Sequence, residues 1–150
     1  MLKINKKAST ILTIVLAIIF MAALVYFYFA VPRLVPQLLD LKGLGDISRI
    51  VPVASAYAVL VLATVADLLV IMFALSILRG EVFTDGNVAI LRRLSWCALL
   101  VSVPFAVLTV WFYLSSALAF VSFFAGICMR MVKNAFEEAV AIKNENDYTI

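Results

Sequence analysis

From Ile50 to Leu78 the chain carries a single charged side chain, Asp67. A run this long and apolar is enough to cross the hydrocarbon layer as a helix, which takes roughly 20 residues. The composition makes this the rule for the whole chain. Hydrophobic residues make up 66% and charged ones 14% of the 150 residues, whereas soluble domains sit nearer half and a quarter. The expected molecule is therefore one membrane domain.

Three further apolar runs accompany the first. Ile11 to Val31 follows Lys3, Lys6 and Lys7, as a signal peptide would. However, it outlasts the roughly 7–15 apolar residues of such a signal and ends in "VYFYFAVP", with aromatics where a cleavage site needs small residues. It reads as a retained span with Pro32 at the interface, followed by "LVPQLLDL" as a short interfacial amphipathic piece. After Leu78, Gly80 breaks the helix and Thr84 is a good N-cap for a new one, with Asn87 in a weakened capping-box position. That helix leads into a third span kinked at Pro104. A single helix from Leu94 to Lys133 would be about 60 Å long, twice the hydrocarbon thickness. Two antiparallel spans that turn at Ser115 and Ser116 fit better. Beyond Lys133, the stripe Val132, Phe136, Ala139 and Val140 keeps the helical period into water. The spans are expected near 11–31, 52–78, 94–114 and 116–133, with an extension over 134–150. The fold class is an all-α integral membrane four-helix bundle.

Four spans place both termini on one side of the membrane. Lys3, Lys6, Lys7, Arg79, Arg92, Arg93, Arg130, Lys133 and Lys143 fall on that side, and only Arg33, Lys42 and Arg49 on the other. The positive-inside rule makes the termini cytoplasmic.

Two charges lie inside the spans, where an ionisable residue is a functional hypothesis by default. At 100° per residue Asp67 shares a narrow arc with Ala56, Ala63 and Ala74, so it points into the bundle. Ser115, Ala119, Ser122, Gly126 and Arg130 form a similar stripe on the fourth span. The 1.5 Å rise brings Asp67 and Arg130 to comparable depth, and they are expected to pair, directly or through water. Three roles stay open: a pair that only fixes packing, an Arg130 that reaches the interface without Asp67, and proton- or cation-coupled transport on Asp67.

The residues that catalysis or metal binding would need are scarce. Histidine is absent, and Cys97 and Cys128 lie far apart in apolar runs, without ligand spacing. No nucleophile–base constellation, glycine-rich phosphate loop or acidic ligand cluster appears. No enzyme activity, cofactor or metal is expected. There is also no basic cluster with interleaved aromatics, so no direct nucleic-acid contact is expected. The lipid bilayer is the one partner the composition requires, and self-association of the chain is left open.

Two segments, "LRGEVFTDGNVAILRRLSWC" and the terminal "KNENDYTI", together resemble a bacterial family catalogued as domain of unknown function 2975. Gly80, Phe83, Thr84, Asn87, Leu91 and Arg92 carry the first part, and Glu145, Asn146, Asp147, Thr149 and Ile150 the second. Asn144 departs from the extra acid that relatives carry there. The resemblance implies a short four-span protein of the bacterial inner membrane. It also implies genes set beside a small helix-turn-helix regulator, hence a non-enzymatic protein that binds or sequesters a transcription factor. On that reading the two segments form one cytosolic docking face, with the tail folded against the loop. The competing readings are a small transporter or an immunity-type membrane protein that uses Asp67.

Overall fold

The computed structural model describes residues 6–44 and 48–148. They form four helices, α1 (Lys6–Leu41), α2 (Ile50–Leu78), α3 (Asp85–Leu108) and α4 (Leu114–Tyr148), and no strand among the described residues. Each is long and apolar enough to cross a membrane. Large apolar side chains such as Phe29, Val110 and Phe120 stand exposed, which suits lipid and would drive aggregation in water. The helices pack in chain order, α1 on α2, α2 on α3 and α3 on α4. Among the described residues no Cα of α1 comes within 8 Å of one in α4.

α1 is longer than the expected span. Its 36 residues make about 54 Å of helix, and "LVPQLLDL" is its last part rather than a separate interfacial piece. It runs through Pro32 and Pro36, and the chemistry of the neighbouring helix explains how it passes the first. Pro32 has no N–H, so the carbonyl of Tyr28, four residues back, loses its helical partner. The Tyr57 hydroxyl of α2 donates to that carbonyl at 3.2 Å. The Tyr28 hydroxyl in turn lies 3.3 Å from Thr64 Oγ1, and the two tyrosine rings stand 6.2 Å apart. This polar seam is flanked by a buried cluster of Leu24, Val31, Val35, Leu39 and Leu60.

The small-residue arc of α2 faces inward, as its spacing predicts. Asp67 and Ala74 are buried, and Ala56 and Ala63 pack against the α1 cluster. The α3–α4 turn, however, falls at 109–113, before the two serines, which lie in the first turn of α4. At this end of the bundle, away from the termini, Lys42 Nζ donates to the Trp111 carbonyl at 2.9 Å and lies 5.0 Å from the centre of the Phe112 ring. That contact ties the α1–α2 connection to the α3–α4 turn.

The C-terminal ends of α1 and α2 are closed in the same way. Gly43 and Gly80 have φ of +70° and +85°. After Gly80, the N–H of Glu81 bonds the Ser76 carbonyl and that of Gly80 the Ile77 carbonyl, which satisfies two otherwise orphaned helix-end acceptors. A Cβ at Gly80 would meet nothing within 4 Å, so the backbone alone resists substitution. Gly80→Ala should therefore lower unfolding free energy by about 1–2 kcal/mol, the cost of left-handed backbone for an L-residue, in thermal unfolding of the detergent-solubilised protein.

Candidate functional site

The segment that carries the family resemblance builds a rigid corner between α2 and α3. Gly80 turns the chain, and Thr84, in extended backbone, accepts a hydrogen bond from the Asn87 N–H at 3.3 Å as the N-cap of α3. Asn87 is 1% exposed, and its Nδ2 donates to the carbonyls of Glu81 at 2.6 Å and Val82 at 2.8 Å. One side-chain amide thus gathers both carbonyls of the loop over the first turn of the helix. Leu91 is 2% exposed, anchoring that helix from below. Much of the motif is therefore the chemistry of folding this corner. Phe83 and Arg92 carry the motif's large exposed side chains, with 44% of Phe83 and 58% of the Arg92 side chain open.

α4 comes to the corner from the other side. The Phe136 ring lies 5.9 Å from Phe73 of α2 and 5.4 Å from Phe83, between the two. Lys143 Nζ reaches the Phe83 carbonyl at 3.5 Å, and Glu137 bridges Arg92 at 3.3 Å and Lys133 at 2.5 Å. The contact between α4 and the corner lies upstream of the terminal segment in which it was expected. Phe136, Glu137 and Lys143 of a continuous helix make it. Glu145 and Asn146 are exposed in the last turns of α4. Thr149, Ile150 and the side chain of Asp147 lie outside the described residues. Of the contacts missed in the sequence, only the Lys133–Glu137 spacing of four was there to be read.

Asp67 and Arg130 make no direct ion pair among the described residues. Arg130 lies over the Trp96 ring of α3, 4.7 Å from its centre. Asp67 is 6% exposed, and its Oδ2 has no hydrogen-bond partner among the described residues. Helical rise gives a position along the helix axes only. Depth fixes nothing about direction around them, and α4 spends its Arg130 face on α3, its neighbour in the packing order. The rest of the α4 stripe does mark a close approach. Ser115 and Gly126 are buried, and the Ser95 hydroxyl of α3 donates to the Gly126 carbonyl at 3.0 Å.

These features define a multi-pass α-helical membrane protein with a hydrogen-bonded α2–α3 corner braced by α4. The chain belongs to the family described as protein of unknown function (DUF2975), whose sequence model matches residues 28–150. No curated protein and no solved structure matches it.

Proposed function

We propose that the chain is a non-enzymatic protein of the bacterial inner membrane that holds a cytosolic regulator at the membrane surface. The helix-turn-helix class is the partner that the family resemblance implies. The observation that supports this is the α4 extension braced on the corner, with Phe83 held exposed beside it. A large apolar ring on a stiff polar scaffold is an economical anchor for a partner, because little side-chain freedom is lost on binding. The charge bias puts this face and both termini in the cytosol.

Asp67 supports a second reading, proton- or cation-coupled transport, because a buried carboxyl oxygen without a partner is costly in lipid. Two substitutions separate the readings. Under the docking reading, Phe83→Glu abolishes co-purification with the regulator encoded beside the protein and releases that regulator's DNA binding, while Asp67→Asn leaves both unchanged. Unchanged co-purification in Phe83→Glu, with proton- or cation-coupled uptake into proteoliposomes that is lost in Asp67→Asn, would reject docking in favour of transport.

A further inference from the structure

At the end of the bundle where α4 leaves its apolar stretch, α3 and α4 enclose a cleft of about 320 Å³. Arg92, Ser95 and Trp96 line it from α3, and Arg130, Lys133 and Asn134 from α4. The spacing is the same on both helices, i, i+3 and i+4, so each presents one face to the cleft. Three of these six side chains are cations and none is an acid. Among the described residues the carboxylate in ion-pair contact with them is Glu137, which reaches Arg92 and Lys133. The cleft therefore keeps about two uncompensated positive charges, while the Lys133 side chain is only 15% exposed.

That charge is held in a receptive geometry. The central carbon of the Arg130 guanidinium lies 4.7 Å from the centre of the Trp96 ring, and a guanidinium held against a ring face can still donate from its N–H edge. A guanidinium so placed offers a fork of donors suited to two oxygens of one phosphate, and Lys133 adds a point charge beside it. Trp96 is half exposed, as indoles are at the headgroup level of a bilayer. Basic pockets between membrane helices at this depth suit anionic headgroups.

We propose that the α3–α4 cleft is a binding site for a phosphate group, supplied by the headgroup of an anionic phospholipid. Arg130 and Lys133 contact the phosphate oxygens, and Trp96 forms the floor beneath Arg130. Glu137 is an internal competitor for the same cations. The cleft shares Arg92 with the docking face, but its test reads lipid rather than protein binding.

The test uses the full chain in detergent with Trp111→Phe, which leaves Trp96 as the single tryptophan of the two. Short-chain phosphatidylglycerol, short-chain phosphatidylcholine and inorganic phosphate are titrated separately against Trp96 emission. Phosphatidylglycerol should saturate the signal at roughly 25-fold lower concentration than phosphatidylcholine, at about fivefold for each uncompensated charge. Arg130→Gln and Lys133→Gln should each weaken it about fivefold, and Lys133→Arg should not. Glu137→Gln should tighten it by a similar factor, a gain that damage to the fold could not produce. If inorganic phosphate saturates the same signal with the same ranking of variants and displaces the lipid, the phosphate site stands and its occupant is a soluble anion. Equal response to the two lipids with no response to phosphate, or variants that all bind alike, would overturn the proposal.

Discussion

Gly126→Ala should lower the unfolding free energy by about 2 kcal/mol, within the usual range for an overpacked contact. A Cβ built at residue 126 of α4 falls 2.7 and 2.8 Å from the Leu99 side chain of α3 and 3.0 Å from its backbone nitrogen. The side-chain atoms could rotate away, but the nitrogen cannot move unless α3 moves. Retreat of α3 would also stretch the Ser95–Gly126 hydrogen bond, now 3.0 Å and buried. In lipid no hydrophobic force pushes two helices together, so close packing and such bonds carry the association. Gly126→Leu should cost more still and lower the folded yield outright. The double variant Leu99→Ala with Gly126→Ala isolates the mechanism. It removes the two side-chain clashes and leaves the backbone one, so the pair should couple favourably in a double-mutant cycle on thermal unfolding. Simple additivity of the two losses would mean that the helices do not meet at this point.

Close approach at Gly126 also explains which parts of this molecule were legible in its sequence. Gly126 and Ser115 stood out because small residues at helical spacing mark a packing face whatever the neighbour is. Gly80 and Thr84 stood out because helix ends are local chemistry, decided within four residues. The passage of α1 through Pro32 was not legible, since the carbonyl it orphans is satisfied by Tyr57 from another helix. A proline reads as an ending unless that donor is known. The same limit explains why Asp67 and Arg130 make no direct ion pair. Helical rise gives each residue a depth, but which helix it faces is a tertiary fact. Arg130 chose the aromatic face of Trp96, a partner that its own helix could not reveal.

The legible half of the family segment also shapes what the illegible half does. Gly80, Thr84 and Asn87 spend their polar groups on one another and on the loop backbone. They leave Phe83 exposed and Arg92 turned to Glu137. A partner that reads this face would therefore sense α4 as well as the corner, because Phe136 and Lys143 hold the two together.

The severest single test of that corner is Asn87→Asp. An acid in the first turn of a helix ordinarily stabilises it by a few tenths to 1 kcal/mol, because it meets the positive end of the helix dipole. Here the expected sign is opposite. The Asn87 amide gives both of its protons to the Glu81 and Val82 carbonyls, and a carboxylate has none to give. At 1% exposure it would hold a charge against two carbonyl oxygens without water to screen them. The Glu81 carbonyl keeps its bond from the Ser76 hydroxyl at 3.0 Å, so one carbonyl, that of Val82, is left without a side-chain donor. With the buried charge added, the loss should be about 2–3 kcal/mol. Asn87→Ala should lose less, since it removes the donor to the Val82 carbonyl without adding a charge. Hydrogen exchange of the amides over 81–88 should rise in both variants and more in the aspartate. Thermal unfolding should rank them wild type, alanine, aspartate. An aspartate variant as stable as wild type would show that the dipole of α3 governs this turn and that the amide clamp does not.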